Sequence, residues 1–259
     1  VYSEWAPGNS GGESESVIGA WMADRRVRHH TVVATKVAKL STRPGLSRAN
    51  ILAACDDSLR RLQTDYIDLY YAHEDDQNTP LEETLGAFDE LQKVGKIRFA
   101  AASNYSSDRL KAALDVSSNL NLTSYVALQN QYNLMERTQF ETDSAPFLAE
   151  AGLSALPYFS LAMGFLSGKY QPGVTVESSR AGGVAQYQND RGWAVVETLN
   201  QIAKDLGTTQ SAVALAWLRA NPVVSAPIAS ARTVEQLREI MPVVQLTSQQ
   251  VAALTAASN

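Results

Sequence analysis

Six short apolar runs, residues 31–37, 66–73, 97–104, 126–132, 153–160 and 223–229, punctuate this 259-residue chain, and amphipathic stretches separate them. Each run is rich in Val, Ile, Tyr or Ala and is too short to stand as an independent helix, so each reads as a buried parallel strand. Between the runs, apolar residues recur with a helical period. Ile51, Cys55, Leu59 and Leu62 share one face, Leu81, Leu85, Phe88 and Leu91 another, and Val195, Leu199, Ile202 and Leu206 a third. Thr79-Pro80 marks a helix start, with proline at the first helical position. Gly95 and Gly152 stand where helices should end, just ahead of the next strand. Strand–helix alternation along the whole chain requires a parallel sheet, either doubly wound or closed into a barrel.

Two features favour the barrel, and with it one domain over residues 1–259. No Gly-x-Gly-x-x-Gly turn follows any run, so the dinucleotide signature of the doubly wound fold is missing. Polar residues instead gather at the C-terminal ends of the runs: Lys36, His73, Ser103-Asn104, Gln129 and Ser160. Barrel active sites are built on that rim. Two longer Gly/Ser/Pro-rich loops, residues 3–13 and 164–189, are placed to line a pocket there. The fold expected is a (β/α)₈ TIM barrel of the α/β class. Six legible strands against eight mean that its first βαβ unit, roughly fifty residues, is not in the sequence.

A net charge of -5 offers no basic tract to neutralise phosphates, which excludes a nucleic-acid partner. The one cysteine, Cys55, rules out a disulfide framework within the chain and suits a reducing compartment, so the expected location is cytoplasmic. No apolar run approaches the roughly 20 residues of a membrane span. Oligomeric state is not legible.

The run ends carry the chemistry. Lys36 closes Val32-Val33-Ala34-Thr35-Lys36; it reads either as an ammonium directed into the barrel mouth, where burial demands a partner or a purpose, or as a surface lysine just past the strand. His73 closes Leu69-Tyr70-Tyr71-Ala72-His73 and precedes Glu74-Asp75-Asp76, so a structural histidine bonded to a carboxylate is the competing reading. A metal site would need more ligands than this region offers, and His29-His30 falls at the opposite end of the barrel.

Taken together these segments resemble the aldo-keto reductases, and the likeness runs through essentially the whole chain. Ala34-Thr35-Lys36 matches the family's lysine strand. The stretch from Tyr66 to His73 matches its histidine strand, with Asp56, Leu59, Arg61 and Leu62 in the preceding helix. Gly95-Lys96-Ile97-Arg98 through Ala102-Ser103-Asn104 follows, then Leu128-Gln129-Asn130-Gln131-Tyr132-Asn133, Gly164-Phe165-Leu166-Ser167-Gly168-Lys169-Tyr170 and Thr233-Val234-Glu235-Gln236-Leu237. Six motifs in the family's order, most of them at strand ends, make the match specific.

The resemblance implies reduction of an aldehyde or ketone to an alcohol with NADPH. It makes Tyr2 the proton donor, with Lys36 lowering its pKa and His73 orienting the carbonyl oxygen. Ser103, Asn104 and Gln129 would bond the nicotinamide carboxamide, and Tyr158 would stack on its ring, although alone it reads as a core aromatic. Ser160, Leu161 and Ala162 would run along the pyrophosphate, and Lys169 and Arg180 would clasp it. Arg232, Gln236 and Glu239 fall where the family reads the adenosine end. Arg232 also reads as a solvated helix start, but a cation there opposes the helix dipole and so favours an anionic partner such as the 2′-phosphate. The chain departs from the family where Ile240 replaces an asparagine and Ser160 a proline, and it starts after the expected catalytic aspartate. The resemblance also extends to potassium-channel β subunits, which makes a non-enzymatic NADP-binding, sensing subunit the alternative. Retention of Tyr2, Lys36 and His73 together favours the enzyme.

Overall fold

Parallel strands and helices alternate as the apolar runs require in the computed structural model, which describes residues 3–4, 6–174, 176 and 181–259. The chain forms two compact units, Val1–Leu128 and Gln129–Asn259.

The first unit opens with α1 (Glu13–Arg25) and β1 (Ala34–Val37), then turns through a small antiparallel hairpin of β2 (Lys39–Leu40) and β3 (Arg43–Pro44). It continues through α2 (Arg48–Leu62), β4 (Ile67–Ala72), α3 (Leu81–Lys93), β5 (Ile97–Ser103), α4 (Ser107–Leu120) and β6 (Tyr125–Gln129), whose last residue starts the second unit. The strands lie in the order β1-β4-β5-β6. Parallel registers set Lys36 beside Tyr71, and Tyr71 beside Ala101.

Local chemistry explains these elements. Ser47 and Ser106 accept the backbone N–H groups of Asn50 and Arg109 at the starts of α2 and α4. Ile51, Cys55, Leu59 and Leu62 on α2, and Leu81, Leu85, Phe88 and Leu91 on α3, are all buried. Edge-on ring contacts run from Tyr70 to Phe88, Phe88 to Tyr125 and Tyr125 to Tyr105, with centroids 5.6–5.9 Å apart. At the strands' N-terminal end Asp68 accepts the backbone N–H of Val33 at 2.9 Å and pairs with Arg28 at 2.8 Å and Arg98 at 3.2 Å. One cross-strand row departs from a strand buried on both faces. Ala34, Leu69 and Phe99 are in register, and Phe99 is 52% exposed.

The second unit holds α5 (Ala145–Ala151), β7 (Ser154–Ala155), a 3₁₀ segment (Ala162–Ser167), the single turn α6 (Ala181–Val184), α7 (Asp190–Asp205), α8 (Gln210–Arg219), α9 (Val234–Ile240) and α10 (Ser248–Ala257). Its parallel pairings are single bridges, Gln131 with Tyr158 and Ala155 with Val224. The run expected as a strand at 223–229 is therefore one bridge. Pro227, and Pro157 in the facing segment, lack the N–H groups that further regular rungs would need, so the ladder stops short although the Ile228 N–H donates to the Pro157 carbonyl at 2.9 Å. The run at 153–160 likewise shortens to the two strand residues Ser154–Ala155, ahead of Pro157. On α7, Val195, Leu199 and Ile202 are buried, whereas Leu206 caps the helix and is exposed. Every residue from Ser211 to Leu218 on α8 is buried, so it has no apolar stripe to read. Among the described residues, no helix is long and apolar enough to cross a membrane.

Candidate functional site

Strand alternation decides where Lys36 points. Its neighbour Thr35 is buried toward the helices and donates its hydroxyl to Glu15 at 2.5 Å, while Glu15 pairs with Arg61 at 2.6 Å. Lys36 must therefore occupy the other face of β1. Its ammonium lies 5.2 Å from the ring centroid of Tyr71, the residue beside it on β4. Lys36 thus lies within β1, on the face that carries Tyr71, and not past the end of the strand. Burial holds the ammonium pKa down to about 8.

His73 follows β4 two residues after Tyr71, which returns it to the face that carries Lys36. Its backbone N–H donates to the Val37 carbonyl at 2.9 Å, and its carbonyl accepts from Nδ2 of Asn104 at 2.9 Å. Burial, and then the positive charges of Lys36 and Lys39, push the imidazole pKa down to about 3. The three carboxylates that follow are engaged elsewhere. Glu74 pairs with Lys39 at 2.8 Å and Asp75 with Arg109 at 2.8 Å. Asp76 accepts from Leu46, Asn78 and Thr79, which hold its carboxyl below the ordinary range despite burial. Ser103, which is buried, ends β5, and Asn104 follows in a left-handed conformation with φ 58°. The structure thus brings Lys36, His73, Ser103 and Asn104 to the C-terminal ends of adjacent strands in the first unit.

In the second unit Gln129 is buried at the end of β6, and the Tyr158 N–H donates to the Asn130 carbonyl at 3.2 Å. The Tyr158 ring stands edge-on to Phe159 with centroids 5.1 Å apart. The following loop is tightly wound. Ser160 donates its hydroxyl to the Pro157 carbonyl at 3.1 Å, the Ala162 N–H donates to Phe159, and the Leu161 carbonyl accepts from Gly164 and Leu166. Ala162, Met163 and Gly164 are all left-handed, with φ of 46°, 58° and 99°. For two side-chain-bearing residues that conformation costs on the order of 1 kcal/mol or more each. A Cβ built on Gly164 would sit 3.4 Å from both Cε and Nζ of Lys169, so the ammonium rests against this turn.

Farther along, the Arg232 N–H donates to the side-chain oxygen of Gln236 at 2.9 Å, and Thr233 caps α9 by accepting the Gln236 N–H at 3.3 Å. The Glu239 carbonyl accepts from the Thr209 hydroxyl at 2.6 Å, which leaves the exposed Glu239 carboxylate outside that bond. Tyr2 and Arg180 lie outside the described residues, as does Trp5 of the first pocket loop. Two features escaped the sequence reading. Tyr71 as the platform under Lys36 depends on strand register. The left-handed turn at Met163 has only the flanking Gly164 as a sign.

The model of the aldo/keto reductase family matches residues 1–259. The chain belongs to that family. Aldo/keto reductases are oxidoreductases, and the matched relatives include both a protein named as an oxidoreductase and proteins named as potassium channel subunits. The uncharacterized oxidoreductase YrpG of Bacillus subtilis (strain 168) is 35% identical over 251 residues, covering 93% of this chain and 75% of that protein. A putative voltage-gated potassium channel subunit beta of Schizosaccharomyces pombe is 34% identical, covering 89% of this chain and 71% of its own length. Among solved structures, the thermostable aldo-keto reductase Tm1743, crystallised with the inhibitor epalrestat, superposes with a TM-score of 0.76 at 30% identity, over 95% of this chain and 78% of that one. The α/β-barrel class expected from the sequence follows from this membership.

Proposed function

We propose that this aldo/keto reductase reduces an aldehyde or ketone to an alcohol with NADPH, and that Tyr2, Lys36 and His73 carry the proton-handling half of the reaction. The observation that carries the reading is the pairing of Lys36 and His73 on one sheet face, each buried enough to leave its ordinary titration range. A nicotinamide cofactor, when bound, supplies the hydride.

The residues present suit such a cofactor. Ser103 and Asn104 offer hydroxyl and amide groups at the strand ends for a carboxamide. In the second unit the Lys169 ammonium, held against Gly164 of the left-handed turn at 162–164, offers a positive charge that suits a phosphate. Gln129, Tyr158, Ser160, Leu161, Ala162 and Arg180 belong to the same proposal, and Arg232, Gln236 and Glu239 are proposed for the adenosine end. Arg232 is exposed, and its planar fork suits a 2′-phosphate.

The acid–base groups then divide the work. A neutral His73 donates a hydrogen bond to the carbonyl oxygen and fixes its angle. Tyr2 gives that oxygen its proton, and the Lys36 charge favours the phenolate left behind. The protein is proposed to act in the cytoplasm on small carbonyl compounds.

Loss of reduced-nicotinamide absorbance with a panel of simple aldehydes tests the activity. Tyr2→Phe, which removes one hydroxyl, should slow turnover at least about 100-fold while leaving NADPH affinity nearly intact. Near-normal turnover in that variant refutes the assignment. The likeness to proteins named as potassium-channel β subunits supports a second reading, a cofactor-binding sensor. Tight NADPH binding with no turnover of any carbonyl would favour it.

A further inference from the structure

We infer that Asn104 is a positioning residue whose side-chain amide takes the place of a strand rung and holds the His73 backbone in register. The parallel ladder between β4 and β5 has Ala72 beside Ala102 as its last pair. Two residues on, Asn104 adopts φ 58°, a left-handed turn that ends the strand and that asparagine tolerates better than most residues. Its side chain continues what the backbone leaves off, because Nδ2 donates to the His73 carbonyl at 2.9 Å. On the other flank the His73 N–H donates to the Val37 carbonyl of β1 at 2.9 Å. The peptide groups on both sides of His73 are therefore fixed, one from β1 and one through Asn104.

The second hydrogen on Nδ2 points to the Ser103 hydroxyl at 3.2 Å. Both hydrogens of the amide are then committed and its plane is set, so one side chain ties the histidine to the serine proposed for the cofactor. Aspartate, the nearest isostere, presents oxygen to the His73 carbonyl and cannot replace the bond.

The expected effect on turnover rests on the carbonyl-reduction reading, whereas the effect on His73 does not. The sequence contains three histidines, so selective ¹⁵N-histidine labelling gives three imidazole spin systems, with His73 assigned by its loss in His73→Gln. In cofactor-free Asn104→Gly, which keeps the left-handed backbone without strain, the His73 ring signals should move and its amide hydrogen should exchange faster. The His29 and His30 signals should stay put. Turnover should fall about tenfold or more, because small displacements of an orienting group are costly. If Asn104→Gly does not fold, Asn104→Asp gives the same readout. His73 signals and exchange that match the wild type, in a variant with weakened NADPH binding, would overturn the inference and leave Asn104 a ligand contact alone. A wild-type protein that turns over no carbonyl, combined with displaced His73 signals in the variant, removes the proposed function and keeps the positioning role.

Discussion

A histidine whose pKa is pushed down to about 3 makes the fold acid-sensitive in a calculable way. In the unfolded chain the same ring titrates near 6.5, so below that pH the unfolded state binds a proton that the folded state refuses. Stability from this site is complete above about pH 6.5 and is lost as the pH falls toward 3. Between about pH 7.5 and pH 5 the loss comes to about 2 kcal/mol, or nearer 1 kcal/mol once solvent screening at a half-buried ring is allowed for. His73→Gln keeps a polar side chain but cannot titrate. Urea unfolding of wild type and variant at both pH values isolates the contribution, since carboxylates and the exposed His29 and His30 are common to both chains. The wild type should lose about 1–2 kcal/mol more than the variant on acidification. Parallel losses would mean that His73 titrates alike in both states, and the argument from burial and the Lys36 charge would fail.

Lys36 carries the same sign in a higher window: with a folded pKa of about 8, stability should rise between about pH 8 and 10.4 as the folded state sheds its proton first, and Lys36→Met should flatten that rise in the same urea assay. Turnover of the wild type should decline as the pH passes 8, and a rate constant to pH 10 would count against a charged Lys36 in the reaction. Arg232→Ala should weaken NADPH about 10- to 100-fold by calorimetric titration and change NADH little; equal losses would give Arg232 another role. Gly164→Ala places a methyl group at φ 99° against the Lys169 ammonium, so it should lower stability by about 1 kcal/mol or more and NADPH affinity about fivefold or more, and unchanged affinity of the folded variant would remove this turn from the phosphate site.

The first unit was legible because its sequence obeys both periods at once. The faces of α2 and α3 could be read from every third or fourth residue, and β1, β4 and β5 from their Val, Ile, Tyr and Ala content. The second unit was less so, for identifiable reasons. On α8 the residues from Ser211 to Leu218 are buried on every side, which erases the stripe that marks a helix. Two prolines reduce the 223–229 run to the Val224 bridge. The β2–β3 hairpin is two residues on each side, too short for any alternation to show. At the candidate site, residue types were readable and relations were not. That Lys36 sits over Tyr71, or that Asn104 bonds the His73 carbonyl, depends on the register between strands and on one left-handed turn. Only chain neighbours are visible in a sequence, whereas those partners lie more than thirty positions away.

The two shifted groups constrain how the proposed reduction divides its labour. With a pKa of about 3, His73 is protonated in only about one molecule in ten thousand at pH 7, too few for it to serve as the proton donor. Its usefulness lies in staying neutral. A neutral imidazole can offer a hydrogen bond to a carbonyl oxygen and then leave that proton where it is. The charge that keeps it neutral is in part that of Lys36, so the lysine acts on the substrate oxygen twice, once through the histidine and once through the group that gives up the proton. A lysine at about 8 is still mostly charged at neutral pH but close enough to its titration to respond to a neighbouring phenolate. In the proposed reaction the donor is Tyr2, a phenol whose ordinary pKa near 10 a neighbouring ammonium lowers. A neutral His73 and a mostly charged Lys36 are therefore suited to the supporting tasks that the proposal gives them beside Tyr2.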